Sequence, residues 1–600
     1  KSITLQIALF RPVENDISLN FENQQGVSWG DLDGDGLEDI ASPSFTNNAG
    51  QAVPPVFYKN LGNGAFERKN IAVLSDEGTG VSRGINILDF NNDGKLDLYI
   101  TRSGGGLTDL LLLNNGDWDF TKIVVPTTSN YSTGFRSSTN IDYDNDGYVD
   151  VFVGQDANSF PPTLRNLFFR NNQGSGLTEI TSSTVISEIL NARDVNTVDY
   201  DNDGLTDLFS VNFEQPGGIR MYKNKGDGTF EKITTSVFAT ENIYFTRTTS
   251  WGDIDNDGDM DLFIGSSFAN PITPNVLMQN NGDGTFTNLA GSAVAENTHR
   301  TFGSSFGDLD NDGDLDLFVA NGSTAADNAN SIFFNNGSGT FTKYSGVEMV
   351  NHPQIQNIGV ALADYDQDGF LDIYPSKGIT SAVDLPNLLF RNTQVNNGSR
   401  NWIQFKLVGT ESNRAAIGAR IKVTTNTPAR SQIREISTRT GYGSANSLIA
   451  HFGLGTATLA DVIEIKWPSG NVQTLNNLAI NQIHTIVEDV TGPTFTFSPA
   501  AGSLTAPIGN TISVTLNETS VPVSGKFIVV RKGTSTSTPI QSINVASGAL
   551  SGNTYSYTLT ASTEYETTYF ISIDAGAFND AYQNASLAVA PSDWSFTTSE

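Results

Sequence analysis

From the N-terminus to Arg400, short apolar runs rich in β-branched and aromatic residues alternate with clusters of Asp, Asn and Gly. Runs this short predict strands, because a helix that buries one face needs ten or more residues at helical spacing. The first repeat shows the grammar. A strand over residues 27–30 enters an acidic loop, a second over 37–42 leaves it, a third covers 56–60, and a glycine turn leads to a fourth over 65–70. The turn returns as NGDWDF at Asn115, KGDGTF at Lys225, NGDGTF at Asn281 and NGSGTF at Asn336, where glycine supplies the positive φ of a tight hairpin. Four antiparallel strands joined in this way form one blade of a β-propeller.

The acidic loop sets the period. In DLDNDGDLD, residues 308–316, aspartates at positions one, three, five and nine converge on one point, because the glycine at position six lets the loop fold back sharply. Such a set of hard oxygens suits a hard cation. The pattern occurs seven times, with starts 58, 53, 57, 54, 55 and 56 residues apart, so one supersecondary unit is repeated. The candidate ligands are Asp31, Asp33, Asp35 and Asp39; Asp89, Asn91, Asp93 and Asp97; Asp142, Asp144, Asp146 and Asp150; and Asp199, Asp201, Asp203 and Asp207. They continue with Asp253, Asp255, Asp257 and Asp261; Asp308, Asp310, Asp312 and Asp316; and Asp364, Asp366, Asp368 and Asp372. Seven blades predict a closed ring. The last repeat has no glycine turn and aromatic fourth strand after Asn392, so the extended segment 2–10 (SITLQIALF) is expected to supply that strand and close the ring.

Composition changes the picture in three ways. The formal net charge of −31 belongs largely to the loops, which hold 27 carboxylates at the ligand positions; seven Ca²⁺ would bring it to −17. With no basic stripe for phosphates, nucleic acid is excluded as a partner. Cysteine is absent, so disulfides contribute nothing, and calcium loops of this kind suit millimolar calcium. The expectation is an extracellular chain, secreted or displayed on a bacterial cell surface. No apolar run approaches 18 residues, which argues against membrane insertion.

Position twelve, where an EF-hand needs an acid, holds Ser42, Ile100, Val153, Ser210, Ile264, Val319 and Pro375, and a strand follows each loop. The EF-hand is excluded. With VSWGDLDGDGLEDI, TSWGDIDNDGDMDLFIG and SSFGDLDNDGDLDLFVA, residues 1–398 resemble the FG-GAP or VCBS repeats of integrin-α-type propellers. That resemblance implies up to seven Ca²⁺, one per blade, with the ninth-position acid and a main-chain carbonyl at position seven completing each shell. The carbonyl donors are then Leu37, Lys95, Tyr148, Leu205, Asp259, Asp314 and Phe370. The second loop, with Asn91 as a neutral donor, is expected to bind more weakly.

Residues 399–490 form a different all-β segment. Its pieces SNRAAIGAR, HFGLG and WPSG together resemble the ASPIC/UnbV domain, between Asn401 and Asp489, which implies an extracellular matrix or surface role and no known catalytic set. Residues 491–600 are rich in Thr, Ser and Ala with alternating apolar positions, and end in DAYQNASLAVAPSDWSFTT. They resemble a bacterial Ig-like module, a β-sandwich of about seven strands that commonly serves as a spacer. The halt at SFTTSE leads us to expect further modules or a sorting signal beyond it.

A second recurrence lies outside the loops. Arginine stands six residues before the first loop aspartate in four consecutive blades, as Arg83, Arg136, Arg193 and Arg247. Blade strands run toward the metal loops, so these side chains start near the opposite face, around the channel. There they either bind carboxylates or sulfates of a ligand or tie neighbouring blades together. The nearby Tyr131, Phe135, Tyr244 and Phe245 would suit sugar stacking or serve as blade filling. The four histidines, His299, His352, His451 and His484, fall in separate segments, and no GxSxG, HExxH or catalytic cysteine is present. The reading is an all-β, calcium-binding, seven-bladed propeller with a β-domain and an Ig-like sandwich, acting as an adhesion protein toward a glycan or surface protein. An extracellular carbohydrate-active enzyme of the polysaccharide-lyase kind and a passive stalk component are the alternatives.

Overall fold

The computed structural model describes residues 9–599, leaving out 14, 16, 18–21, 47–51, 76–80, 104–106, 127–134, 157–163, 214–217, 236, 241–242, 244–245, 268–272, 296–299, 323–329, 345–356, 379–386, 395–397 and 581–583. The chain divides into two compact units. One comprises residues 1–470 with 475–487, and the other 471–474 with 488–600.

Seven four-stranded antiparallel sheets make up most of the first unit. Blade 2 is representative, with strands Val81–Leu88, Asp97–Ser103, Leu110–Gly116 and Asp119–Ile123. The second strand of a blade is covered on both faces by neighbouring blades. It therefore reads as an unbroken apolar run; all seven residues of Asp150–Asp156 are buried. The first strands converge on the channel, where little room remains, and are correspondingly built from small residues: FRSSTNI in Phe135–Ile141 and TFGSSFG in Thr301–Gly307. Each first strand packs against that of the next blade, and that of blade 7 against that of blade 1. The glycine turns deliver the expected aromatic fourth strands, in which Phe66, Phe120, Phe230, Phe286 and Phe341 are buried and the residues after them turn to solvent.

Closure of the ring uses the N-terminus. In blade 7, Asn357–Ala363, Asp372–Lys377 and Phe390–Asn392 are completed by Phe10–Pro12, which pairs antiparallel with Phe10 opposite Asn392 and Pro12 opposite Phe390. The strand lies at the end of the segment expected to provide it; residues 1–8 lie outside the described residues.

The rest of the first unit is a β-domain carried on the metal-loop face of the propeller. Its strand Asn401–Val408 lies between Ala450–Gly455, antiparallel, and Ile483–Val487, parallel. Ala429–Glu435, Arg420–Asn426 and Ala460–Lys466 belong to a second sheet, and Ile403, Phe405, Ile421, Phe452, Ile463 and Trp467 form the core between them. Between the strands ending at Glu435 and beginning at Ala450, Ile436 and Leu448 still pack in this core, and residues 437–447 between them enter the propeller.

The second unit is a sandwich. Phe495–Ser498, Thr511–Leu516, Thr554–Thr558 and Ala549–Ser551 form one sheet; Ser503–Pro507, Val589–Ser599, Thr568–Ile573, Phe527–Lys532 and Pro539–Asn544 form the other. Here one face of each sheet meets solvent, so burial alternates residue by residue, as in Thr568–Ile573. Trp594 is fully buried at its centre.

Candidate metal loops and the filled channel

Each acidic loop is curled by two left-handed residues. Position four is Asn92, Asn145, Asn202, Asn256, Asn311 or Gln367 in loops 2–7, and position six is glycine, with φ of +88° at Gly94 and +99° at Gly313. Asparagine tolerates this region and glycine enters it without penalty. The curl turns the N–H groups of positions five and six onto the first carboxylate. Asp93 N–H donates to Asp89 Oδ1 at 3.1 Å and Gly94 N–H to Oδ2 at 2.8 Å, and loops 3, 4, 5 and 7 repeat both bonds. In all seven loops the position-seven N–H donates to the position-five carboxylate, from Leu37 to Asp35 at 3.0 Å through Phe370 to Asp368 at 3.1 Å.

The ninth aspartate joins loop to blade. Asp97 Oδ2 accepts from Phe90 N–H at 2.8 Å and Oδ1 from Asn114 N–H at 2.7 Å. Asn114 belongs to a second sevenfold series that the sequence reading missed: Asn60, Asn114, Asn171, Asn224, Asn280, Asn335 and Asn392, each ending or nearly ending the third strand. Every one of these side chains donates to the position-eight carbonyl of its own loop and to the position-two carbonyl of the preceding blade; Asn280 Nδ2 reaches Met260 O at 3.2 Å and Tyr200 O at 2.8 Å. Asn60 to Tyr365 O closes the circle. The signal was in the sequence, as an asparagine at the same period just before each glycine turn.

One carboxylate oxygen is left over. Oδ1 of position three is buried without a hydrogen-bond partner in six loops, at Asp33, Asp144, Asp201, Asp255, Asp310 and Asp366. In the remaining loop Asn91 stands there, and its side chain bonds to Asp93. Ligand oxygens of Asp31, Asp33 and Asp39 lie within 4.8 Å of one another, as do those of Asp142, Asp144 and Asp146; Asp199, Asp201 and Asp203; Asp253, Asp255 and Asp261; and Asp308, Asp310 and Asp316. Burial, reinforced by neighbouring carboxylates, pushes Asp253 and Asp364 up to about 7 and Asp308 up to about 8. Acids crowded in this way ionise fully only beside compensating positive charge. Part of it comes from side chains just before the stitching asparagines: Lys59 on Asp33 and Asp35, Arg170 on Asp144 and Asp146, Lys223 on Asp201 and Asp203, and Arg391 on Asp366 and Asp368. The donor set, all hard oxygen with six orphaned atoms, fits a Ca²⁺-class cation.

The FG-GAP-like repeat profile matches residues 31–100, 89–153, 142–210, 199–264, 267–319 and 308–374, more than half of the chain. The chain belongs to the FG-GAP-repeat family. Profiles described as ASPIC and UnbV and as bacterial Ig-like domain match residues 409–493 and 489–598. Cartilage acidic protein 1 of Xenopus tropicalis is 24% identical over 498 residues, covering 79% of this chain and 74% of that protein. The Homo sapiens protein of the same name is 24% identical over 502 residues, covering 79% and 72%. Among solved structures, AofleA from Arthrobotrys oligospora aligns with 56% of this chain and 90% of its own at 8% identity and a TM-score of 0.32. An FG-GAP propeller with an Ig-like domain marks an extracellular protein of the binding or adhesion type. No helix among the described residues is long and apolar enough to cross a membrane.

In this FG-GAP propeller the channel is filled by the chain itself. Residues 437–447 thread into it from the metal-loop face and bond to six blades. Ala445 N–H donates to Val27 O at 2.9 Å, Thr438 Oγ1 to Asn140 Oδ1 at 3.0 Å, Gly441 N–H to Thr249 O at 3.1 Å and Ser447 N–H to Leu362 O at 3.1 Å. Thr440 Oγ1 reaches Ser305 Oγ at 3.2 Å, and Arg439 forms an ion pair with Asp194 at 3.1 Å in which both side chains are wholly buried. The fit explains two glycines: a Cβ on Gly441 would lie 2.5 Å from Ser304 O, and one on Gly443 2.7 Å from Gln25 O.

Tyr442, at the tip, meets the arginines. Arg247 lies between the rings of Phe302 and Tyr442, 4.0 and 4.7 Å from their centroids. Arg83 donates to Ser103 Oγ at 2.8 Å and Gln25 Oε1 at 3.4 Å, and Arg193 to Asp156 at 2.5 Å with Phe213 stacked beneath it. Gln25 and Asp156 belong to the preceding blades, so these contacts are blade ties. Arg136 is placed on its strand, but its side chain and those of Tyr131, Phe135, Tyr244 and Phe245 lie outside the described residues, as do His299 and His352. His484 is on the surface and bonds to Ala479 O at 2.7 Å. His451 is buried at the junction of β-domain and propeller: Gln404 Nε2 donates to its Nδ1 at 3.1 Å, so its Nε2–H donates to Asn311 Oδ1 at 2.7 Å. Gln404 also donates to Asp364 at 2.9 Å. The β-domain thus grips metal loops 6 and 7 directly.

Proposed function

We propose that the protein is a calcium-loaded binding and adhesion protein, secreted or displayed at a cell surface, whose propeller recognises a glycan or another surface protein. One observation carries the calcium reading: the same carboxylate oxygen, at position three, is buried and unpaired in six loops. Bound Ca²⁺ would supply the positive charge on which these oxygens converge. The acids at positions one, three, five and nine would hold it, while the backbone bonds described above keep the first and fifth carboxylates aimed inward.

Recognition by the propeller is assigned to the face opposite the metal loops, since the β-domain occupies much of the loop face and its 437–447 segment fills the channel. On that side Arg83, Arg193, Arg247 and Arg300 feel one another's charge; the first three are largely buried, so it is their summed positive potential that supports an acidic glycan or acidic protein surface as ligand. The test is binding of acidic and neutral polysaccharides in millimolar calcium by the wild type and by a variant combining Arg83→Ala, Arg136→Ala, Arg193→Ala and Arg247→Ala, with folding of both verified. Saturable binding lost in the variant supports the assignment. Binding equal in both removes the arginines from it and leaves them as blade ties.

A further inference from the structure

We propose that the groove between the metal loops of blades 1 and 2 and strand Asn401–Val408 is a second ligand site, taking an acidic, hydroxyl-rich molecule of the uronate-sugar class. This rests on the reading that the loops hold Ca²⁺. The groove has a volume of about 510 Å³, within the range of small-molecule pockets. One wall is formed by Asp31, Asp33 and Asp89 of the two loops, and the other by Lys406 and Arg414 of the β-domain.

Three observations converge on it. The first is access. Loops 3, 6 and 7 are capped by the β-domain: a Cβ on the position-six glycine would lie 2.9 Å from Glu411 O at Gly147 and would strike Arg430 at Gly313 and the Trp402 indole at Gly369. At Gly36 and Gly94, as at Gly204 and Gly258 of loops 4 and 5, nothing lies within 4 Å; only loops 1 and 2 border this groove. The second is Glu38, at position eight of loop 1, where the other loops carry Leu96, Val149, Thr206, Met260, Leu315 and Leu371. Glu38 lines the groove and is only 7% exposed; its carboxylate is hydrogen-bonded to Ser447, which leaves Oε2 buried with no hydrogen-bond partner. A buried acceptor left without a donor is costly, and a hydroxyl of a sugar seated in the groove can supply one.

The third is charge. Lys406 Nζ stands 3.6 Å from Asp31 and is half exposed, and Lys95 stands 3.1 Å from Asp93. Loop 2 has one carboxylate fewer than the others because of Asn91, so a divalent cation held there keeps more of its positive charge for an outside anion. A uronate satisfies both ends of the groove, its carboxylate at Lys406 and loop 2 and a hydroxyl at Glu38. A neutral sugar lacks the first contact, and a simple carboxylate lacks the second.

The probe is a galacturonic acid trimer, set against the matching neutral galactose trimer, by calorimetry on the full chain in millimolar calcium. Calcium loading is read beforehand from the heat of a calcium titration, so a failure of the loops to load is seen separately. Expected is saturable binding of the acidic trimer, weaker by about tenfold or more in Lys406→Ala and in Glu38→Gln and for the neutral trimer, and unchanged in the combined arginine variant. Lys406 is a surface residue, so its variant keeps the wild-type melting temperature. No binding by the loaded wild type overturns the proposal, and so does equal affinity for the two trimers or binding indifferent to Lys406→Ala and Glu38→Gln. Loss in the arginine variant alone also overturns it, while leaving the opposite-face assignment standing.

Discussion

The two units of this chain are both built from β-sheets, yet they are held together by different means. In the sandwich, apolar residues alternate along each strand and meet in one core around Trp594. In the propeller, apolar residues run continuously along the second strands, and the cores are separate clusters of about ten to a dozen residues between neighbouring blades. Among the described residues no single core spans the ring. Its cohesion depends on polar devices repeated at every joint: the acidic loops, the stitching asparagines and the segment that fills the channel. One unit is stabilised chiefly by area removed from water, and the other also by hydrogen bonds and by carboxylate clusters whose charge makes them sensitive to pH and, on the proposed reading, to calcium.

Chelation should separate them most strongly. At ~1 mM free Ca²⁺ and a site Kd of ~10⁻⁴ M, each loop contributes about 1.4 kcal/mol, and seven independent loops about 10. Scanning calorimetry is expected to show two transitions, with EDTA lowering the melting temperature of the propeller unit steeply and leaving the sandwich in place. A propeller transition unmoved after confirmed metal loss removes the distinction.

Next in size are two buried truncations, one in each unit. Arg439→Ala leaves Asp194 charged and uncompensated in the channel and is expected to cost about 3–5 kcal/mol in the propeller transition alone. Trp594→Ala opens a cavity and is expected to cost about 3–5 kcal/mol in the sandwich transition alone, the same with and without calcium. A shift of both transitions by either variant would show that the units do not melt independently.

The pH response follows from His451. Burial, with a smaller push from Arg434, lowers its pKa to about 3, against an ordinary value of about 6.5. Below pH 6.5 the unfolded chain takes up a proton that the folded chain refuses. The contribution of neutral His451 is therefore complete above about pH 6.5 and declines as the pH falls toward 3, by up to about 1.4 kcal/mol per pH unit. On the proposed calcium reading, acid would also strip the metal from the loops, with the same sign. The difference in slope between the wild type and His451→Gln at fixed calcium isolates the histidine, and identical slopes would contradict its role.

The smallest effect sharpens the comparison at a single joint. Asn280→Ala removes the donors to Met260 O and Tyr200 O and the acceptor for Gly282 N–H, and is expected to cost the propeller about 1–2 kcal/mol by denaturant unfolding. A loss below a few tenths would mean that water replaces the stitch.

Legibility followed sequence distance. The clustering of the acidic loops could be read because their carboxylates lie within nine residues, so local geometry alone brings them together. The stitching asparagines were equally periodic, but their second acceptor lies on the preceding blade about eighty residues earlier, as with Asn280 and Tyr200. A single asparagine before a glycine turn reads as part of the turn. Closure by the N-terminus was legible from an imbalance, a last blade short of one strand. The arginine series was visible as a recurrence, but its contacts, Arg83 with Gln25 and Arg193 with Asp156, were not.

By itself the sequence determined the repeated unit, the curled loops and the choice of hard oxygen ligands, since each depends on residues a few positions apart. Only the tertiary structure decided what fills the channel and which metal loops stay open. Those outcomes rest on pairs such as Val27 with Ser444, 417 residues apart, and on the β-domain capping loops 3, 6 and 7 while leaving a groove over loops 1 and 2. Such contacts carry no local signal, because the residues that make them meet only after the ring has closed and a second domain has docked on it.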